Sequence, residues 1–524
     1  MPRLVRAVVL AAALWAPQAG TVSVQILALN DFHGNLEPPS GSNGQINGTA
    51  AGGAEYLATH IAHAIAENPN SVVVGAGDII GASPLVSALF HDEPTLQAMT
   101  AMHLSVSSVG NHEFDKGFRD LLGLKRGYRY LSANVIRRST GATLFPPTVV
   151  RRVGGVDVGF IGETLKGTPD IVAVSATRGL RFLDEASTAN ANAARLKRQG
   201  VHAIVLLIHE GGRQRPDAGA ADPNGCANFT GAIVPIVEKL STDISVVVSG
   251  HTHNFYNCRI GGHLVTSASS FGRMVTRVTL TIDRATGRVA NAAAVNEIVT
   301  RDVPKDAAQT RIVEKYVGLA ASKANAHVGA AAANLARKEN EAGESPLGDI
   351  IADAQLAATS DAANGGAEIA FMNAGGIRAD IDAGDVTYRQ LYEVQPFGNV
   401  LNVLTLTGDM LKRLLEQQFD NPAPGEKSVL QVSSGFTYRY RASAPAGQHV
   451  DADSIAINGR RIGPADRVRI EASNFLVEGG GGYTVLREGT NKVAGVSDVD
   501  ALVDYFKSHS PVAPGPQNRI VRVE

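Results

Sequence analysis

The chain predicts an α/β protein of two domains. Three observations predict it. Short apolar runs recur through the first half, each ending in a glycine-containing polar turn and several separated by helical periodicity, which is the pattern of strands feeding one ligand-binding sheet edge. At 524 residues the chain is too long for one typical core. A second run of elements and polar turns begins near Glu344, after an amphipathic segment spanning Pro304 to Ala324.

Each element follows from its local pattern. Val22 to Leu29 is a β-rich apolar run that delivers Asn30-Asp31-Phe32-His33-Gly34 at its end. Pro39 to Gly53 is rich in Gly, Ser and Asn and is expected to be loop. Glu55 to Glu67 has helical periodicity. Ser71 to Val74 is a second strand, ending Gly75-Ala76-Gly77-Asp78. Glu93 to His103 is helical, and Ser105 to Val109 leads into Gly110-Asn111-His112-Glu113-Phe114-Asp115. Val201 to Ile208 ends in His209, and Ile244 to Val248 ends in Gly250-His251-Thr252-His253. Val275 to Ile282 and Val289 to Val299 read as antiparallel strands. Ser345-Pro346 caps a helix continuing through Ile350 to Ala358, with proline at its first position. Glu368 to Met372 is a strand opening into Asn373 to Arg378. Gln395 to Asn399 and Asn474 to Tyr483 are further polar loops, the latter carrying four consecutive glycines.

Composition excludes several classes. The formal net charge is −2 with 19% charged residues, so no basic excess points to a nucleic-acid polymer. The N-terminus reads as a secretory leader over 1–20. Arg3 and Arg6 are followed by an apolar stretch from Ala7 to Trp15 and small residues near Ala19. That apolar stretch is far short of the ~20 residues a membrane span needs, so a periplasmic or secreted location is expected. Cys226 and Cys258 are the only cysteines. In an exported chain an even pair is expected to form one disulfide, worth roughly 3–4 kcal/mol; the alternative is two free thiols.

The polar strand ends carry the chemistry. Asp31 and His33 are two residues apart, and on a strand they share a face. Asp78 is a lone carboxylate on a glycine turn, free to bridge two ions. Asn111 offers a neutral oxygen, and His209, His251 and His253 offer imidazoles. Mixed nitrogen and oxygen ligands without thiolate suit zinc, manganese or iron rather than calcium. Any one of these side chains alone is ordinarily a solvated or structural group. Seven of them, all at strand ends in glycine turns, point to a two-metal phosphoesterase.

These residues carry a family resemblance. Asn30 to Gly34, Gly77-Asp78, Gly110 to Asp115 and Gly250 to His253 resemble the calcineurin-like metallophosphatase signatures. With Asn373 to Arg378, Gln395 to Asn399 and Asn474 to Tyr483, the chain resembles the 5′-nucleotidase/UDP-sugar hydrolase/2′,3′-cyclic phosphodiesterase family over nearly its whole mature length. The resemblance implies a four-layer α/β/β/α domain over 21–303, a linker helix over 304–326, and a second α/β, substrate-binding domain over 327–524. It implies two divalent ions (zinc, manganese or cobalt), one held by Asp31, His33, Asp78 and His253, the other by Asp78, Asn111, His209 and His251. His112 would stabilise charge on the phosphoryl or leaving group and Asp115 would orient it, as water activated by the ions attacks phosphorus in line. Phe397 and Phe475 would clamp a base, Asn373 would bond that base, and Arg378 would pair with phosphate. In the family a glutamine is common where His253 stands. Two further departures concern substrate: Gly343 stands where an arginine is frequent, and Gly481 where an acidic residue often binds the ribose. The expected activity is 5′-nucleotidase on small-molecule nucleotides. The alternatives are 2′,3′-cyclic phosphodiesterase or UDP-sugar hydrolase, then a thiosulfohydrolase-type relative or an inactive secreted binding protein. Glu113 and Phe114 read as structural support.

Overall fold

The computed structural model describes residues 20–420 and 429–524. The leader expected over 1–20 lies, but for Gly20, outside the described residues.

The first half folds into two six-stranded sheets laid face to face. One runs in the order Val289–Ile298, Met274–Asp283, Thr21–Leu29, Ser71–Ala76, Leu104–Ser108, Arg129–Leu131. Its last four strands are parallel, and the Met274–Asp283 and Val289–Ile298 strands add antiparallel at one edge. The other runs Phe255–Ile260, His263–Ala268, Ile244–Ser249, Ala203–His209, Val156–Thr164, Thr148–Val153. Its central four strands are parallel.

The central strands are apolar at nearly every position because both faces are buried. Val24, Ile26 and Ala28 point inward, onto a core shared with Val158, Phe160, Val205, Leu207 and Val246 of the opposite sheet. Leu27 and Leu29 point outward, beneath the helices Ala54–Glu67, Glu93–Ala101 and Ala307–Ala324. Ile204, Leu206 and Ile208 likewise point outward, beneath Glu185–Arg198 and Ile233–Val237. The result is four layers, α/β/β/α. Asp184 and Asp306 cap their helices by accepting backbone N–H groups, a contribution of about 1 kcal/mol each. The stretch expected to be loop before Gly53 contains a 3-10 turn, Gly41–Gly44, and a small hairpin pairing Gln45–Ile46 with Thr49–Ala50.

The helix Ala307–Ala324 packs into the first domain. Val313, Tyr316, Ala320 and Ala324 are buried in its core. The same helix touches Tyr388–Val394 of the second domain, which the chain enters at the strand His327–Ala331.

The second domain is built on a five-stranded mixed sheet, ordered Leu430–Val432, Ile369–Asn373, Arg467–Ser473, Val400–Thr407, Thr490–Ser497. Helices Pro346–Thr359 and Asp498–His509 cover one face through Ile350, Ile351, Leu502 and Phe506. Ser345 caps the first of them by accepting the Gly348 N–H. The domains meet along the Asn35–Asn43 region. Arg389 makes two bonds to Glu37, at 3.3 and 2.7 Å, and Arg337 donates to Asn43 at 3.0 Å.

Candidate metal centre

The parallel strands of both sheets finish at one edge of the first domain, and all seven predicted metal-ligating side chains converge there. Asp31, His33, Asp78, Asn111 and His209 are buried, and His251 and His253 are half-buried. Asp31, His33 and His253 form one triad, and Asp78, His209 and His251 another, each with its ligand atoms within 4.8 Å of one another.

The backbone is bent sharply to achieve this. Asp31, His33, Asp78, His251 and His253 all adopt positive φ, between 47° and 72°, a region non-glycine residues enter at a cost unless their surroundings hold them. Here the turns hold one another. Asp31 N donates to the Gly77 carbonyl at 3.1 Å and His33 N to that of Asp78 at 3.0 Å. Gly110 allows the closest approach: a Cβ there would lie 2.1 Å from Asp78 Oδ1.

The donor chemistry fits divalent ions. His33 Nδ1 bonds the Gly81 carbonyl and His209 Nδ1 the Ala76 carbonyl, both at 2.8 Å. Each Nδ1 therefore carries a proton, so that in the neutral ring Nε2 is the nitrogen that turns a lone pair to the centre. His209 Nε2 lies 2.9 Å from Asp78 Oδ2, an oxygen fully buried and without a hydrogen bond. His33 Nε2 lies 3.0 Å from His253 Nε2 and 3.6 Å from the same Asp78 oxygen. Asn111 Oδ1 lies 3.1 Å from His209 Nε2 and 3.0 Å from His251 Nδ1. Acceptor atoms crowded at these separations call for a positive charge among them, a proton or a metal ion. Asp78 Oδ2 lies 2.9 Å from His209 Nε2 in its own group and 3.6 Å from His33 Nε2 in the other.

Electrostatics agrees. Burial pushes His33 and His253 well below the usual imidazole range, and takes His251 down to about 3, leaving all three neutral and able to ligate. Burial alone would depress His209 as well; the Asp78 carboxylate overrides it and lifts the imidazole to about 10. Without an ion, the Asp78 side of the centre recruits a proton in its place.

His112 stands beside the ligands. Its Nδ1 lies 3.0 Å from both oxygens of Asp115. Burial disfavours its charged form, yet Asp115 and Asp78 raise it above the ordinary value. Phe397, from the second domain, stacks on the His112 ring at 5.6 Å and 24°. The Arg378 guanidinium lies 5.8 Å from the centre of the Phe397 ring. Asn373 ends its strand half-buried. Phe475 packs flat on Gly480, where a Cβ would come within 2.3 Å of its ring. The glycine loop itself packs against Thr168–Ile171 of the first domain. A cavity of about 440 Å³ opens beside the centre, between the Gly34–Asn43 region and Arg378 to Asp382.

Gly343 has φ +87°, and a Cβ there would lie 2.6 Å from Val429. Gly481 also has positive φ, +65°. Both departures from the family pattern thus sit where the backbone is turned for glycine.

One residue went unread in the sequence, and one was read only as structural support. Phe271, at φ 61°, donates its N–H to the Asp31 carbonyl and sets its ring edge-on to His33 and His253 at 5.9 and 5.3 Å. No pattern marks it. Glu113, in plain view inside a motif, makes contacts that only the folded turns reveal.

Comparison with known proteins settles the family. The calcineurin-like phosphoesterase family matches residues 24–255, and the 5′-nucleotidase C-terminal domain matches residues 321–488. The cell wall protein Lmo0130 of Listeria monocytogenes is 30% identical over 93% of this chain and 67% of its own length. The chain belongs to the 5′-nucleotidase family of calcineurin-like phosphoesterases. Endonuclease YhcR of Bacillus subtilis is 32% identical over 97% of this chain, which spans 42% of that protein. The crystal structure of a 5′-nucleotidase precursor from Thermus thermophilus superposes with a TM-score of 0.81 at 27% identity, covering 96% of this chain and all of that one. The protein is a metal-dependent phosphoester hydrolase of α/β/β/α plus α/β architecture. Cys226 and Cys258 form a disulfide. Among the described residues no helix is long and apolar enough to cross a membrane.

Proposed function

We propose that the protein is an exported 5′-nucleotidase that releases phosphate from nucleoside 5′-monophosphates. The observation that carries this reading is the stacking of Phe397 on His112. It joins an aromatic loop of the second domain to the metal centre of the first, so that one site offers a surface for a planar base and a centre for a phosphoryl group.

Asp31, His33, Asp78 and His253 would hold one ion, and Asp78, Asn111, His209 and His251 the other; zinc, manganese and cobalt all suit this donor set. When bound, the ions supply Lewis acidity toward phosphoryl oxygens and a nucleophile from water at neutral pH. The chain's own groups do the rest. Asp115 fixes the His112 ring through Nδ1, leaving Nε2 to donate to a phosphoryl or leaving-group oxygen. Arg378, whose pKa burial and the neighbouring Arg337 lower, offers a fork of donors for a phosphate. Phe397 and Phe475 present rings for a base and Asn373 an amide for its edge. The division into a leader over 1–20, a catalytic domain over 21–303, a joining helix over 304–326 and a substrate domain over 327–524 belongs to the same reading. Export is supported by the leader composition and by a disulfide, which persists in oxidising compartments.

The test is phosphate release by chelated protein given zinc, manganese or cobalt singly, with AMP, UDP-glucose and 2′,3′-cyclic AMP as substrates. Preference for AMP supports the nucleotidase reading. Preference for either other substrate replaces it with the corresponding hydrolase, and no turnover with any metal removes it.

A further inference from the structure

Glu113 is a buried carboxylate beside the metal centre whose side chain bonds mainly backbone N–H groups. Only 3% exposed, it lies between two turns. Its Oε2 accepts the N–H of Asp78 at 2.9 Å and of Gly110 at 2.6 Å. Its Oε1 accepts the N–H of Ile79 at 2.8 Å and of Ile80 at 3.4 Å, and the Tyr130 hydroxyl at 3.2 Å. The turn from Gly77 to Ala82 carries the bridging candidate Asp78; the turn from Gly110 to Asp115 carries Asn111 and His112. The two are in glycine-on-glycine contact, a Cβ on Gly77 coming within 2.8 Å of the Gly110 backbone. Both hold backbone N–H groups that no strand or helix satisfies, and buried N–H groups demand partners.

We infer that Glu113 is a positioning residue: its carboxylate clamps the two turns together and so fixes the separation of Asp78 from Asn111 and His112 before any ion binds. A carboxylate suits the task because both of its oxygens only accept. Glutamine has the same shape but would turn an NH2 toward one set of N–H donors, prising the turns apart. The inference rests on the metal-centre reading above.

Two measurements test it. The first is metal titration by calorimetry into chelated Glu113→Gln and parent protein. The half-saturating concentration of the weaker-bound ion is expected to rise about 10- to 100-fold, the usual size of an effect on ligand orientation. The metal-free variant is expected to melt below the parent, because buried N–H groups lose an acceptor, and kcat at saturating metal to recover further than kcat at limiting metal. Unchanged metal affinity with a lowered midpoint would overturn the inference and leave Glu113 a purely structural residue. A parent protein that takes up no metal would instead remove the metal-centre reading. The second measurement needs no variant, and so holds even if Glu113→Gln fails to fold. Amide hydrogen exchange in the metal-free parent is expected to show Asp78, Ile79 and Gly110 as protected as in the metal-loaded protein. Fast exchange that slows only on adding metal would show that the ion, not Glu113, brings the turns together.

Discussion

Replacing His112 by alanine separates the chemistry from the metal site. The imidazole reaches the site through its ring alone: Nδ1 is held by Asp115 and the ring lies under Phe397. Its link to the Asp78 carboxylate is through the backbone, where His112 N donates to Asp78 Oδ1 at 2.8 Å, and alanine keeps that bond. Metal content is therefore expected to stay at the parent value. Loss of one preorganised donor to a developing charge lowers kcat by about 10²–10³, or roughly 3–4 kcal/mol of barrier. The assay is phosphate release from AMP at saturating metal, with metal counted by mass spectrometry on the same sample. Asp115→Asn refines it. Burial opposes the charged form of His112 and the Asp115 carboxylate favours it, so removing that charge lowers the imidazole pKa. The alkaline limb of the pH–rate profile is then expected to move toward lower pH. A His112→Ala enzyme within fivefold of the parent, or one stripped of metal, would refute the reasoning.

Three further outcomes are expected. Phe397→Ala should raise KM for AMP about 5- to 150-fold, the equivalent of roughly 1–3 kcal/mol of base stacking, measured by steady-state kinetics; equal KM values would remove the ring from the base site. Cys226→Ser/Cys258→Ser opens a loop with a sequence separation of 32. By the chain-entropy account this costs about 4 kcal/mol, and calorimetry should show the midpoint of its domain falling by roughly 10 °C. His60 bonds Glu297 at 2.9 Å, which raises the imidazole pKa and lowers that of the carboxyl. The His60 contribution is complete below its ordinary 6.5 and fades as pH rises through the raised value. The Glu297 contribution is complete above its ordinary 4.5 and fades as pH falls through the lowered value. His60→Ala should therefore destabilise by about 0.5–1 kcal/mol near pH 5.5 and less near pH 9 in denaturant titrations.

Much of the site was legible because the fold places it by rule. Parallel strands buried on both faces read as unbroken apolar runs, and the ligands follow where those runs stop: Asp31 after Leu29, Asp78 after Ala76, His251 after Ser249. Gly34, Gly77, Gly110 and Gly250, beside His33, Asp78, Asn111 and His251, announced the sharp turns. The strand Phe255–Ile260, by contrast, holds Asn257, Cys258 and Arg259 and sits at a sheet edge, where alternation is weak. The helix Ala307–Ala324 was legible from its amphipathic pattern, but that its buried face packs on the helices Ala54–Glu67 and Glu93–Ala101 was not. Glu113 was visible as a residue but not as a clamp. Its partners are mostly backbone N–H groups of a turn some 35 positions earlier, and a backbone group has no signature in sequence. Phe271 is silent for a like reason, since its work depends on a left-handed backbone at one position.

The most direct test of the central claim is the rate of phosphate release from AMP as metal is added stepwise to chelated protein. No turnover is expected without metal, then a rise that saturates at two ions per chain, and no rise at all for Asp78→Ala. Turnover independent of added metal, or full activity in Asp78→Ala, would contradict that claim.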